Sequence, residues 1–152
     1  MSKIPFAAFA VVALCSACNS KPAQPQKDGA TQSGLAAVAT KPTPELSVTE
    51  VATALREKRA IVVDANGPET RQKYGVVPGA VLLSDHRSYA LTELPSDKSK
   101  PLVFYCGGTQ CRASDAAASR AESAGYASVS VMREGIRGWV SAGQPVAGVS
   151  KS

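Results

Sequence analysis

Two cysteines late in the chain stand where a nucleophile would be placed. Cys106 comes directly after the apolar run Leu102–Tyr105, and Cys111 follows it within a short polar loop. An apolar run of this length is typical of a strand buried on both faces of a parallel sheet. Since ligands gather at the carboxyl ends of such strands, a thiol at this position indicates nucleophilic chemistry on a bound substrate.

The residues after Cys106 are suited to binding an anion. Glycines let backbone N–H groups converge, and a helix predicted from residue 113 would add partial positive charge at its N-terminus. Such surroundings lower the pKa of a thiol, so we expect Cys106 to be a catalytic thiolate near neutral pH. The predicted substrate-binding loop comprises Gly107, Gly108, Thr109, Gln110, Cys111 and Arg112, and Arg112 would supply a fork of donors.

Other features of the sequence exclude several classes of site. The chain has 1 His, and no Cys-x-x-Cys pair is followed by a pair of histidines, so neither a metal site nor a cofactor is predicted. Its 17 Lys and Arg against 12 Asp and Glu are scattered along the chain rather than gathered in runs. We therefore expect no nucleic-acid surface.

Residues 1–18 resemble a bacterial export signal. Lys3 is followed by the apolar run Phe6–Leu14, which is too short to span a bilayer as a helix and fits the middle of a signal peptide. The small residues before Cys18 resemble the lipoprotein pattern, in which that cysteine is lipidated and becomes the new N-terminus. We therefore predict an exported protein, periplasmic or at the cell surface, with a membrane anchor at Cys18. Ordinary cleavage after Ala17 would instead give a soluble exported protein.

The segment after the signal differs in composition from the rest of the chain. Residues 19–45 are rich in Pro, Gln, Lys, Ala, Thr and Gly, and no hydrophobic period persists there. Such a segment cannot bury enough apolar surface to offset its chain entropy, so it is predicted to be a flexible tether. The folded domain is expected over residues 46–148, and residues 149–152 are expected to form a short tail.

Hydrophobic periodicity predicts helices that alternate with strands in the folded domain. Ser47 and Glu50 form a capping box ahead of the first helix, and Gly125 closes the Ala-rich one. The predicted helices are 48–58, 68–74, 113–124 and 137–142, with a short helix near Leu91, and the predicted strands are 60–64, 81–83, 102–105 and 129–132. This alternation indicates an α/β fold with a mainly parallel sheet.

Four further residues are predicted to have structural roles or to lie at the surface. Asp64, at the end of the first strand, and Trp139, in the last helix, are expected to be structural, with Trp139 in the core. Ser114 is expected to be an ordinary residue of an early helical turn. His86 is expected to lie in a surface loop, since the sequence offers it no second His for metal binding.

Four segments, in order along the chain, resemble the rhodanese-like domain family. Val62–Ala65 resembles its first strand and Asp, and Gly75–Ala80 resembles its G-x-[IV]-P-G-A turn. The loop after Cys106 resembles its active-site loop, and residues 134–146 resemble its closing G-x-x-x-W and A-G-x-P-V pattern. The resemblance covers about residues 46–147. It implies a three-layer α/β fold of the single-domain sulfurtransferase type, with a mainly parallel sheet flanked by helices.

The resemblance also implies an activity. Cys106 would attack the outer sulfur of thiosulfate or a similar small anionic donor, sulfite would leave, and a persulfide would remain on Cys106. A thiol or cyanide acceptor would then take that sulfur. The backbone amides of residues 107–112 and the Arg112 guanidinium would stabilise the anion and the persulfide.

The loop departs from the family pattern at three points. Arg112 is the sixth residue after Cys106, whereas the family has its Arg at the fifth, and Cys111 occupies that fifth position. Thr109 stands where the family often has a central Gly. The stretch from Cys106 to Gly125 is about two residues longer than the usual pattern. These departures indicate a wider or differently shaped loop.

Three other functions stay open on the sequence. The C-x5-R spacing of Cys106 and Arg112 fits dual-specificity phosphatases that share the rhodanese fold, although Tyr105 stands where those enzymes have His. Cys106 and Cys111 could form a dithiol redox site, in which Cys111 closes a disulfide or resolves a persulfide or sulfenate on Cys106. The domain could also be a non-catalytic binding module, because a fold does not by itself give a function.

The lipid anchor can be tested in a bacterial host that processes lipoproteins. We expect the wild-type chain to fractionate with membranes and Cys18→Ala to appear in the soluble exported fraction, because the lipid-bearing sulfur is removed. Cys15→Ala is the matched control and should stay with the membranes. A wild-type protein that is itself soluble would contradict the anchor.

Overall fold

The computed structural model describes residues 42–149. The predicted signal with Cys18, most of the predicted tether and the last residues of the tail lie outside the described residues. Within the part of the chain that is described, no helix is long and apolar enough to cross a bilayer.

Between residues 42 and 149, four α-helices alternate with four strands. They are α1 (Val48–Arg56), β1 (Ile61–Asp64), α2 (Pro68–Tyr74), β2 (Val81–Leu82), β3 (Leu102–Tyr105), α3 (Ala113–Ser123), β4 (Val129–Met132) and α4 (Gly135–Ser141), with a 3-10 turn at Leu91–Glu93. The capping box is present, since Ser47 and Glu50 each accept a backbone N–H from the other. Helix α1 ends earlier than predicted because Lys58 has a φ of 53°, a left-handed conformation that stops the helix.

The four strands form one parallel sheet in the order β2-β1-β3-β4. Alternate residues of the central strands point to opposite faces, as the pleat of a strand requires. Val63 and Phe104 belong to the core beneath α3, whereas Val62 and Val103 belong to the core beneath α1 and α4. The sequence prediction of an α/β fold with helices on both faces of a parallel sheet is confirmed.

The last helix is fixed by its aromatic residue. Trp139 is 2 % exposed and packs among the apolar residues of α1 and α4. Its indole N–H donates to the Pro145 carbonyl at 2.7 Å, so the polar atom of the ring is satisfied while the ring is buried. The prediction that Trp139 is a core residue is confirmed.

A short segment before α1 extends the sheet beside β4. The Leu46 N–H donates to the Val131 carbonyl at 2.9 Å, and the Val131 N–H donates to the Pro44 carbonyl at 2.9 Å. Glu45 thereby forms a parallel bridge with Val131. The chain has therefore joined the domain one or two residues before the junction expected at residue 46.

A buried carboxylate ties the ends of β1 and β3 together. Asp64 is 0 % exposed and accepts hydrogen bonds from the Tyr105 hydroxyl and from the Asn66 N–H, the latter at 2.6 Å. Arg71 lies 3.4 Å from the same carboxylate. The Tyr105 oxygen in turn accepts the Val77 N–H at 3.0 Å. Asp64 thus has the structural role expected of it, since its charge is paired and hydrogen-bonded.

The strength of this network can be measured by removing one hydroxyl. Tyr105→Phe should lower the free energy of unfolding by about 2 kcal/mol, because the buried Asp64 carboxylate loses a donor and the Val77 N–H loses its acceptor. Tyr126→Phe is the matched control, since its hydroxyl donates only to the neutral Pro95 carbonyl. That control should lose about 1 kcal/mol. Urea unfolding at constant m-value measures both, and equal losses would contradict the interpretation.

Candidate active site

Cys106 is the first residue after β3, at the carboxyl edge of the sheet. Its carbonyl accepts the Ile136 N–H of α4 at 2.8 Å. Gly135, with a φ of 59°, lies so close to this carbonyl that any side chain there would collide with it. Only glycine combines that φ with that approach, so the start of α4 is held directly against the cysteine loop. For the same reason α4 begins two residues earlier than predicted.

The Cys106 sulfur faces the interior. The residue is 2 % exposed and belongs to the core beneath α3. Its Sγ lies 3.3 Å from the Ser114 Oγ. Burial, with a further contribution from the hydrogen bond to Cys111, raises the pKa of Cys106, and Ser114 offsets this only in part. The prediction of a lowered pKa at Cys106 is therefore wrong, because burial outweighs the helix N-terminus on which it relied.

Cys111 is the thiol with the lowered pKa. Burial acts to raise it, but the Cys106 thiol and the backbone groups of Ala113 and Gly107 donate hydrogen bonds to the Cys111 sulfur and lower the pKa below its ordinary value. Cys111 is partly exposed, and neither thiol is in a disulfide. The pKa of Cys106 is thus raised and that of Cys111 lowered, so Cys111 is the better thiolate of the two.

A cavity of about 340 Å³ opens beside this pair. It is lined by Gly108, Thr109, Gln110, Cys111, Glu134, Arg137, Gly138 and Ser141. Cys111 thus borders the cavity, whereas Cys106 lies behind it. In residues 42–149 no three His, Cys, Asp or Glu side chains are grouped closely enough to hold a metal ion.

The cation of the cavity is Arg137. Its Nε lies 3.9 Å from the point that a Cβ on Gly108 would occupy, so the side chain extends over the glycine loop. The guanidinium also lies 5.8 Å from the centre of the Tyr74 ring, on the other side. An aromatic face and a backbone loop together orient Arg137 towards an anion in the cavity.

Arg112 does not have the position predicted for it. Its side chain is 78 % exposed and pairs with Asp115 at 3.4 Å. Asp115 also pairs with Arg133 at 2.8 Å. Arg112 is absent from the lining of the cavity, so Arg112 does not form the predicted fork of donors around a substrate. The extra loop residue before it explains the change, because it turns Arg112 outward at the N-terminus of α3.

The remaining loop residues contribute backbone rather than side-chain groups. The Cys111 N–H donates to the Gly108 carbonyl at 2.8 Å and closes a tight turn. Within the described chain, the Thr109 and Gln110 N–H groups have no acceptor, and both residues border the cavity. The predicted ring of amides is therefore partial. Gly107 is absent from the lining of the cavity, whereas Thr109 and Gln110 belong to it.

The sequence matches the family described as Rhodanese-like domain over residues 47–142. The chain belongs to this family. Among curated proteins, no sequence matches it closely enough to count as a relative. The match covers α1 to α4 and includes both loops that form the cavity.

Solved structures with this fold come from several bacteria. The BH2092 protein from Bacillus halodurans is 22% identical with a TM-score of 0.60, and the match covers 70% of this chain and 77% of that one. A thiosulfate sulfurtransferase from Pseudomonas aeruginosa is 25% identical with a TM-score of 0.58, over 72% of this chain but 21% of that one. A protein of unknown function from Rhodopseudomonas palustris, described as a possible tyrosine phosphatase, is 20% identical over 69% of this chain and 85% of that one, with a TM-score of 0.57.

Sequence reasoning missed two contacts of this rhodanese-like site. Ser114 was expected to be an ordinary helical residue, but it is 1 % exposed and its hydroxyl contacts the Cys106 sulfur. The sequence pattern includes Arg137 in the closing motif but predicts no contact with a ligand for it. A signal for it was present, since Arg137 follows β4, and the carboxyl ends of parallel neighbours β3 and β4 lie at one edge of the sheet.

Alkylation rates can test which thiol is the better nucleophile. At pH 7 we expect iodoacetamide to modify Cys111 at least about tenfold faster than Cys106, because Cys111 has the lower pKa and the greater exposure. The Cys111 rate should also persist at pH values where an ordinary thiol, with a pKa of about 8.5, is protonated. Fragment-ion mass spectrometry assigns the label, and Cys111→Ser is the control in which Cys106 should remain slow. Equal rates in the wild type would contradict the assignment.

Proposed function

We propose that this rhodanese-like domain transfers a sulfane sulfur from thiosulfate or a similar small anionic donor to a thiol or cyanide acceptor. The observation that carries the proposal is a pair of free thiols, Cys106 and Cys111, at a cavity whose wall includes Cys111 and Arg137. The pair supplies a nucleophilic sulfur, and Arg137 with the Thr109 and Gln110 amides supplies donors for an anion. Membership of the rhodanese-like family supports the same chemistry.

The sulfur is carried as a persulfide on Cys106. Over the whole loading half-reaction the outer sulfur of the donor passes to Cys106, its bond to the sulfonate group breaks, and sulfite leaves with the electron pair. The thiol proton moves to the new terminal sulfur. In the second half-reaction an acceptor thiolate or cyanide bonds to the terminal sulfur, and the Cys106 sulfur is released.

A phosphatase function is less well supported. Catalysis of phosphate transfer needs a cation aimed at the phosphoryl oxygens beside the nucleophile. Arg112, which completes the C-x5-R spacing, is instead exposed and paired with Asp115. The Tyr105 hydroxyl is engaged with Asp64, and burial followed by the Asp64 charge raises the pKa of Tyr105, so it stays protonated in the interior.

A dithiol redox function is the second candidate. It is favoured by the presence of two free thiols, Cys106 in a buried cluster and Cys111 packed against that cluster. Loss of two hydrogens to an oxidant would join the two sulfurs and block persulfide formation. Outside the cytoplasm, where disulfides persist, that reaction would compete with sulfur transfer.

The proposed setting of the reaction is the outer side of a bacterial cytoplasmic membrane or an outer membrane. A lipid on Cys18 and a tether of residues 19–45 would hold the domain near the membrane. Donors and acceptors would then be small exported or environmental molecules, and no nucleic acid is expected as a partner.

Intact-mass analysis distinguishes these functions in one experiment. After incubation with thiosulfate, we expect the purified wild-type domain to gain one sulfur and to release one sulfite per chain. The double variant Cys106→Ser with Cys111→Ser is the control and should gain nothing.

Two other outcomes of the mass measurement would support other functions. Loss of two hydrogens without added sulfur would favour the redox function. An unchanged mass with no sulfite would overturn sulfur transfer and leave the fold as a binding module.

A further inference from the structure

We infer that Cys111 is the thiol that first takes the sulfur from the donor and that it then passes this sulfur to Cys106. The inference rests on the proposed sulfur transfer and assigns a second catalytic residue to it. It differs from the expectation that Cys106 meets the donor directly.

The inference rests on which of the two cysteine sulfurs a sulfur donor in the cavity can reach. A donor in the 340 Å³ cavity touches Cys111, which forms part of its wall. Cys106 is 2 % exposed, is not part of that wall and has the Ser114 hydroxyl against its sulfur. A displacement at sulfur needs the nucleophile, the attacked sulfur and the leaving sulfite to approach a line. Of the two cysteines, only Cys111 borders the cavity from which a donor can approach.

The groups that could donate hydrogen bonds to an anion in the cavity lie around Cys111 rather than Cys106. Arg137 extends over Gly108, and Thr109 and Gln110, whose N–H groups have no acceptor within residues 42–149, line the same cavity. The Glu134 carboxylate also lines the cavity and offsets part of the positive charge. A dianion such as thiosulfate is therefore held by Arg137 and the amides, with its outer sulfur next to Cys111.

The state of each thiol fits this order of events. Hydrogen bonding from Cys106 and the backbone lowers the pKa of Cys111, so of the two thiols it has the larger thiolate fraction. Cys106 holds its proton in the interior. Since the thiolate is the attacking species, the residue that faces the donor is also the residue that is ready to attack.

Loading then proceeds in two balanced steps. First, the Cys111 thiolate bonds to the outer sulfur of thiosulfate, the sulfur–sulfonate bond breaks, and sulfite leaves with the electron pair, so that Cys111 carries a persulfide anion. Second, the Cys106 proton moves to the terminal sulfur of that persulfide, and the Cys106 thiolate so formed bonds to the same sulfur as its bond to Cys111 breaks. Cys111 leaves as a thiolate. No oxidant or reductant is required.

The second step covers a short distance, because Cys111 packs against the apolar cluster to which Cys106 belongs. The direction of transfer follows from leaving ability. A thiol of lower pKa leaves faster from a sulfur–sulfur bond, so sulfur passes from Cys111 to Cys106 more readily than it returns. The persulfide is then stored on the buried residue, away from the open cavity.

Single-turnover loading of two serine variants tests the inference. Thiosulfate is mixed with wild type, Cys106→Ser and Cys111→Ser, sulfite release is followed, and the position of the added sulfur is read by fragment-ion mass spectrometry after alkylation. We expect Cys106→Ser to release sulfite at close to the wild-type rate and to hold the sulfur on Cys111. We expect Cys111→Ser to load at least about tenfold more slowly, because its remaining thiol is protonated and enclosed.

The opposite pattern overturns the inference. If Cys111→Ser loads at the wild-type rate, or if Cys106→Ser fails to load while wild type does, Cys111 is not the first acceptor. If wild type itself does not load, the proposed sulfur transfer fails instead. Cys106→Ala and Cys111→Ala serve as second variants, and urea unfolding midpoints verify that each variant compared is folded.

Discussion

The active-site edge of this domain depends on one backbone contact between two loops. The Cys106 carbonyl accepts the Ile136 N–H at 2.8 Å, and Gly135 lies against that carbonyl where no side chain would fit. This contact holds the start of α4 on the loop that follows β3. Without it, Arg137 would not lie over Gly108, and the cavity would lose one wall. The proposed chemistry of the two thiols therefore depends on the close approach of the loop after β3 to the start of α4.

The buried hydrogen-bond network at Asp64 stabilises the same edge of the sheet from the interior of the domain. Asp64 and Tyr105 are register partners at the ends of β1 and β3, and the Tyr105 hydroxyl donates to the Asp64 carboxylate. Tyr105 directly precedes Cys106, so the network fixes the end of the strand from which the loop departs. A buried charge with partners is costly to disturb. The end of β3 is therefore held rigidly. The loop that follows it is held only by hydrogen bonds and by the packing of small residues.

The pair of thiols explains how a buried cysteine can take part in surface chemistry. Cys106 alone would be enclosed and protonated, because burial raises its pKa. Cys111 stands where the family pattern has an arginine, and it brings a second sulfur to the cavity wall. Its lowered pKa depends on the proton that Cys106 retains. In the proposed sulfur transfer the two residues act as a unit, and both belong to the segment between β3 and α3.

Local patterns in the sequence determined the elements, the parallel sheet and the location of Cys106 at a strand end. Those features follow from apolar runs, a capping box and glycines, which act over a few residues and can be read along the chain. Only the tertiary structure decided that Cys111 faces the cavity, that Arg137 rather than Arg112 is its cation, and that Ser114 touches Cys106. Burial, and hence the pKa of each thiol, is set by contacts between α3, β3 and the start of α4. Residues far apart in sequence meet there, and no local pattern records which of them will.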